Sequence, residues 1–325
     1  MKFRKLVNDQ CDFVGNIDGS MCCILVCVDD LLIIAPTLST ISRIKAGLKK
    51  HFKMSDLGEA QYLLERIYAT KVLNRFSHLN SHPVGTPTDP SIKLSLTMCP
   101  QTDVERDEMK AIPYREAVGS FMYTMMGTRP DLAYFLREVR QYLTNSRKQH
   151  WNAVKRGLRY PNGTRNLGIT LGGRRNVEQY REKENITVFS DPDYAKCPDN
   201  DRPVRGYITY MCGNPISWQS RKHHTVVLST TEPEYIALGH CTQEVIFLEL
   251  LLLELNHDSP HAITIYEGNH SYIKLSYDPE LIEKVVRKGF EIVHCNTKEM
   301  VADIFTKSLT NPNFFKLQGK HFKLQ

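Results

Sequence analysis

Two apolar runs, Ile24 to Val28 and Leu31 to Ala35, are parted by Asp29 and Asp30. Short apolar runs on either side of turn-forming residues predict a two-stranded hairpin with the aspartates at its tip. Both runs read as fully buried, which would set the two carboxylates at the rim of a core. From Met109 to Tyr160 the pattern turns helical. Asn145–Ser146 can cap a helix that runs to about Tyr160, where Pro161 stops it. Gly163, Gly168 and Gly172–Gly173 mark a linker into the last part of the chain. Three strand-like runs follow, Ile186 to Ser190, Gly206 to Cys212 and Ile216 to Gln219. Ser229 to Leu255 then reads as one long helix, with Thr230 or Thr231 as its cap and Pro233 in its first turn. A strand (Ala262 to Tyr266), a helix (Pro279 to Arg287), a strand (Phe290 to Cys295) and a helix (Lys298 to Lys307) close the chain. Three strands, a long helix and then alternating strands and helices make an α/β pattern.

The chain has 325 residues, 41% hydrophobic and 24% charged, which suits two or three folded domains and excludes a disordered polymer. The net charge of +6 is compatible with a polyanionic partner. No apolar run reaches the roughly 18 residues of a membrane span. The longest, around Val245 to Leu255, is broken by Glu249 and Glu254. The N-terminus has no apolar core of a leader, so the expectation is an intracellular protein, cytoplasmic or nuclear, with no membrane partner. Nine cysteines without regular spacing read as reduced thiols, and Cys23 and Cys27 as core thiols rather than metal ligands.

Asp29 and Asp30 allow two readings, a solvated turn or a seat for a divalent metal. Mg²⁺ prefers one or two carboxylates plus phosphate oxygens, and two such ions can hold both oxygens of a phosphoryl displacement. Cys27-Val28-Asp29-Asp30 resembles the Tyr-Val-Asp-Asp box of reverse transcriptases. "HFKMSDLGEAQYLLERI" (His51 to Ile67) and "HPVGTPTDPSIKL" (His82 to Leu94) resemble the stretches that follow it in copia-type retrotransposon polymerases. "YREAVGSFMYTMMGTRPDLAYFL" (Tyr114 to Leu136) and "HWNAVKRGLRYPNGT" (His150 to Thr164) resemble that family's helical connection. The resemblance covers nearly the whole chain. It implies a truncated reverse-transcriptase palm over 1–95, a helical connection and linker over 96–180, and a ribonuclease H-like domain over 181–325. The fold class so implied is α/β and α+β, with a mixed five-stranded sheet and helices in the last domain. The family's third palm carboxylate sits in an Asp-Val-x-x-Ala-Phe context that this chain lacks, so no nucleotide addition is expected from it alone.

The predicted helix ending near Tyr160 carries Lys155, Arg156 and Arg159, with Arg165 beyond it. These are either a solvated basic face or contacts to nucleic-acid phosphates; the resemblance favours the second. Trp151 reads as a packing residue.

Ser190 to Ala195 matches the family's Ser-Asp-x-Asp-Trp-Ala, Ser229 to Tyr235 its Ser-Thr-x-Glu-x-Glu-Tyr, and "ADIFTKSL" (Ala302 to Leu309) its closing Ala-Asp-x-x-Thr-Lys. By that match Asp191, Glu234 and Asp303 would be catalytic metal ligands, with Mg²⁺ (or Mn²⁺) as cofactor and an RNA–DNA hybrid or DNA as partner. The rest of a Pol polyprotein is a further implied partner. Asp193 and Glu232 are not assigned to the metal, and His223–His224 reads as an exposed basic loop. The family's remaining ligand falls on Gly268, one residue after Glu267. Neighbours on a strand point to opposite faces, so Glu267 is expected to point away. The implied ribonuclease activity is therefore expected to be greatly reduced or lost, and a non-catalytic nucleic-acid-binding protein is the alternative.

Overall fold

A computed structural model describes residues 2–27, 30–58, 66–78, 80–169, 186–193, 199–200, 202–223, 232–257, 263–268, 290–319 and 323–324. The chain divides into two units: residues 1–63 with 243–259, and residues 64–242 with 260–325.

In the first unit, β1 (Phe3–Lys5), β2 (Asp12–Ile17), β3 (Ser20–Cys27) and β4 (Asp30–Ile34) form an antiparallel sheet in chain order. Asp18 and Gly19 turn β2 into β3 with positive φ (54° and 80°), a conformation glycine adopts without strain and Asp tolerates. Helix α1 (Leu38–Lys49) begins where Thr37 Oγ1 accepts the Thr40 N–H. It covers one face of the sheet, where Ile17, Cys22, Ile24 and Ile44 form a small core. The expectation of two fully buried runs is corrected here. Residues facing α1 are covered, but Cys27 and Asp30 are exposed and Ile34 is 50% exposed. A strand with one covered face can bury only alternate side chains.

In the second unit, α2 (Arg66–Arg75), α3 (Asp103–Lys110), α4 (Tyr114–Gly127), α5 (Ala133–Arg140) and α6 (Lys148–Gly163) precede a short strand β5 (Leu167–Gly168). Gly157 lets α6 approach α5, since a Cβ there would lie 2.2 Å from Cζ of Phe135. Two expected boundaries move. Arg147, not Asn145–Ser146, is the N-cap of α6, and its backbone N–H donates to Nδ1 of His150. Pro161 sits inside the last turn, where its missing N–H removes one hydrogen bond without ending the helix.

Strands β6 (Ile186–Asp193), β7 (Val204–Met211) and β8 (Asn214–Lys222) follow, then α7 (Glu232–Glu254), β9 (Ile263–Glu267) and β10 (Phe290–His294). Among the described residues, five strands make a mixed sheet in the order β10-β9-β6-β7-β8. The β6–β7 and β7–β8 pairs are antiparallel, while β9 runs parallel to both β6 and β10. The chain is thus mixed α/β, with a five-stranded mixed sheet. One core joins this sheet to the helices, from Phe121, Phe135 and Leu158 to Ile208, Ile304 and Phe314. Trp151 packs against that core. The segment 170–185 and the expected helix Pro279 to Arg287 lie outside the described residues.

The expected helix Lys298 to Lys307 is mostly turn. The N–H groups of Glu299, Met300, Asp303, Ile304 and Phe305 bond the carbonyl three residues back, so only Asp303–Thr306 (α8) completes an α turn. A further helix, α9 (Asn311–Gln318), starts with Pro312 in its first turn. β11 (Lys323–Leu324) pairs with β5.

Candidate functional site

Asp191 lies inside β6, opposite Gly206 of β7. The strand was expected to stop at Ser190, yet it continues through Pro192 to Asp193. Pairing with β9 ends at Ser190, so Pro192 has no β9 partner to disappoint. Gly206 is the reason α8 can settle beside Asp191. A Cβ there would come within 2.6 Å of Phe305 Cβ and 2.8 Å of Thr306 Cγ2. Ser220 Oγ donates to the Phe305 carbonyl at 2.5 Å and ties the same turn to β8.

This docking brings two carboxylates together. Asp191 and Asp303 are 8% and 6% exposed. Thr306 Oγ1 donates to Asp191 Oδ2 at 2.5 Å. Lys307 Nζ lies 2.8 Å from Asp303 Oδ1 and 3.2 Å from Asp191 Oδ2. Burial and the neighbouring Asp191 charge push the Asp303 carboxyl up to about 6, against the pull of Lys307. The two carboxylates in turn hold the Lys307 ammonium protonated well above its ordinary range, outweighing its own burial.

The other expected positions add no described carboxylate to this pair. Glu234 belongs to the first turn of α7, and its side chain lies outside the described residues. Gly268 follows β9 and offers no ligand. Glu267 is 1% exposed and in register with Ser190, not Asp191. Its Oε1 accepts the Gly268 N–H at 2.9 Å. Its charge, after burial, also pushes the Cys241 thiol of α7 up to about 12. Glu267 therefore faces α7, while Asp191 faces α8, as strand alternation requires. Among the described residues no group of three His, Cys, Asp or Glu side chains is arranged to hold a metal. Two carboxylates with an ammonium between them do not fit a two-metal centre.

In the first unit, Asp30 is exposed at the start of β4, opposite Cys27. Asp29 lies outside the described residues. His223 was expected in an exposed loop, but it is 2% exposed, its N–H bonded to the Pro203 carbonyl; His224 is not described.

A cleft of 860 Å³ opens beside the acid pair. Asp193 and Lys307 line one end, Lys155, Arg156 and Arg159 of α6 line a wall, and Ile92, Leu94 and Met98 contribute apolar surface. The basic residues differ in their commitments. Arg156 bonds Thr86 Oγ1 at 3.1 Å and pairs with Asp89 at 3.5 Å. Arg159 Nε donates to the His82 carbonyl at 2.7 Å. Both fasten the 82–89 loop to α6. Arg165 donates to Asn162 Oδ1. Lys155 is half-buried on the cleft wall.

Comparison with known proteins adds the family. The retrovirus-related Pol polyprotein from transposon TNT 1-94 of Nicotiana tabacum is 34% identical over 343 residues, 96% of this chain and 25% of that protein. The corresponding polyprotein from transposon RE2 of Arabidopsis thaliana is 31% identical over 349 residues, 98% of this chain and 23% of that protein. The chain belongs to the retrovirus-related Pol polyproteins of copia-type transposons. It spans about a quarter of the length of the Pol polyproteins it matches. A shorter relative, secreted RxLR effector protein 161 of Plasmopara viticola, is 39% identical over 140 residues, 43% of this chain and 94% of that protein. No family model and no solved structure matches.

The Pol motif Ala-Asp-x-x-Thr-Lys pointed to Asp303 and left Thr306 and Lys307 without a role. The signal was present: Lys307 stands four residues after Asp303, on the same side of one helical turn.

Proposed function

We propose that this Pol segment holds one strand of an RNA–DNA hybrid on a ribonuclease H-like domain, residues 181–325, with hydrolysis of the RNA greatly reduced. The observation that carries the reading is the cleft that runs from the basic wall of α6 to Asp193 and to Lys307, the residue paired with Asp191 and Asp303. A concave site with a basic wall suits the phosphate backbone of one strand of the hybrid, with phosphates to the lysine. Lys155 supplies the phosphate contact, while Arg156 and Arg159 shape the wall by holding the 82–89 loop. Mg²⁺, or Mn²⁺, is the cofactor the family resemblance implies. Among the described residues, those that converge here do not make a two-metal set, so binding rather than cutting is the stronger part of this reading. Residues 1–95 are read as a partial reverse-transcriptase palm that adds no nucleotides by itself, with the remaining Pol segments as partners.

The test combines fluorescence anisotropy of a labelled hybrid with gel analysis of the RNA strand in Mg²⁺ and then Mn²⁺. Expected are binding that weakens by about tenfold or more between roughly 50 and 200 mM salt, and cleavage at or barely above background. Failure to bind the hybrid at low salt would overturn the proposal. Efficient cleavage that disappears in Asp191→Asn would overturn the impairment.

A second reading, a nucleic-acid-binding protein with no catalysis, is favoured by Lys307 lying between the two acids and by Gly268 at the third position. It requires that no cleavage remains for Asp191→Asn to remove, even in Mn²⁺.

A further inference from the structure

Two buried carboxylates side by side need a cation. In two-metal sites that cation is an ion from solution. Here the position between the acids is taken by the protein itself. Lys307 Nζ reaches Asp303 Oδ1 at 2.8 Å, Asp191 Oδ2 at 3.2 Å and Asp191 Oδ1 at 3.5 Å. A lysine ammonium has three donors and no acceptor, so two acid partners use most of its bonding capacity. Thr306 fills the other demand on Asp191 Oδ2.

The seat of this ammonium is built by several independent contacts. The Lys307 N–H closes the turn on the Asp303 carbonyl at 3.0 Å. α8 lies on the bare backbone of Gly206, and Ser220 holds the Phe305 carbonyl. The stem of Lys307 therefore leaves the backbone beside both acids. A divalent ion bound to the same oxygens would lie within a few ångströms of Nζ. Like charges at that range in a partly desolvated site repel strongly. Nothing at Gly268 adds negative charge to offset that repulsion, and Glu267 faces the other side of the sheet.

We propose that the ε-ammonium of Lys307 is the resident cation of this site, standing where a divalent metal ion would otherwise join Asp191 to Asp303. The chain then keeps its acid pair together without metal, and a divalent ion gains access only when Lys307 leaves. The inference rests on reading Asp191 and Asp303 as the acid pair of a ribonuclease H-like domain. It needs neither nucleic-acid binding nor cleavage, so its failure is distinguishable from failure of the proposed function.

The experiment is a Mn²⁺ titration of the full chain followed by electron paramagnetic resonance, with thermal melts in EDTA and in Mn²⁺. In the wild type the free Mn²⁺ signal is expected to stay undiminished up to about 1 mM, and the melting temperature to move by less than about 1 °C. Lys307→Met is expected to melt lower in EDTA, to recover in Mn²⁺ and to bind the ion at least about tenfold more tightly than the wild type. Lys307→Gln serves if the Met variant does not fold. Sub-millimolar Mn²⁺ binding by the wild type that Asp191→Asn abolishes would overturn the proposal. So would folded Lys307 variants that take up no more Mn²⁺ than the wild type.

Discussion

The second unit contains two buried acid clusters that are built on opposite plans. Asp131, with a side chain 0% exposed, is met by a bidentate Arg129 at 2.9 and 2.7 Å, by the Tyr160 hydroxyl at 2.5 Å and by Gln318 Nε2 at 3.1 Å. Gln318 also reaches the Tyr160 hydroxyl, and Arg129 spends its remaining donors on Thr164. One negative charge faces one guanidinium, and the donors around it are satisfied. Among the described residues, the Asp191–Asp303 cluster has two carboxylates, one ammonium and one hydroxyl. Its charges do not balance, and burial together with the neighbouring Asp191 charge raises the Asp303 pKa. The difference separates a fastening from a site. The first cluster ties Arg129 and Asp131, just before α5, to α6 and α9 and has no spare valence. The second holds an excess charge beside Lys307, which lines a cleft, and clustered buried charge of this kind costs stability.

The largest effect is expected from breaking the fastening. Arg129→Met strands a buried carboxylate and should lower stability by about 3–5 kcal/mol, read from the guanidinium chloride midpoint. A loss below about 1 kcal/mol would mean that α9 does not depend on this pair.

The second cluster should show itself through pH. The folded Asp303 carboxyl binds its proton more tightly than the usual 3.8, up to about 6. The folded state then carries more protons than the unfolded chain across that window. Stability therefore falls as pH rises from about 4 to about 6 and levels off above, by up to about 3 kcal/mol. Asp303→Asn should abolish that slope relative to the wild type in parallel urea titrations. An unchanged slope would sink the assignment to Asp303.

Gly206→Ala is expected to cost about 1–3 kcal/mol, because its Cβ would press on Phe305 and Thr306, both held by the sheet. The same variant should loosen the acid pair and reduce the Asp303 pH effect. Smallest in stability is Gly268→Asp. A Cβ there meets only Met300 Cε, at 3.7 Å, so the change should stay within about 1 kcal/mol. It sharpens the comparison by adding a third acid on the Asp191 side. Mn²⁺ uptake measured against the wild type should rise, and no rise would show that Gly268 is not what limits the site.

Much of this was readable from particular residues. Alternation and β-branched runs placed β6, β7, β9 and β10 to within a few residues, and Thr and Pro at its start placed α7. The motifs around Asp191 and Asp303 named both members of the acid pair. β6 runs past Ser190 through Pro192, because a lost donor matters only where a neighbouring strand would use it. The helix at Lys298 to Lys307 was overextended because its apolar spacing does not distinguish bonds to the third residue from bonds to the fourth. His223 was placed in solvent from its charged neighbours, while β7 and β8 carry it inward.

The sequence by itself determined the family, the order of the elements in the last part of the chain and the identity of the two acids, because local periodicity and motif text are written in consecutive residues. Only the tertiary structure decided what those acids meet. Gly206 admits α8, the strand pleat turns Glu267 away from Asp191, and Glu254 at the end of α7 accepts the N–H groups of Val7 and Asn8 at 2.9 and 3.1 Å. Lys307 between the carboxylates belongs to the same kind of fact. Each depends on atoms far apart in the chain being brought within hydrogen-bond reach, and a linear pattern carries directions and periods but not those distances.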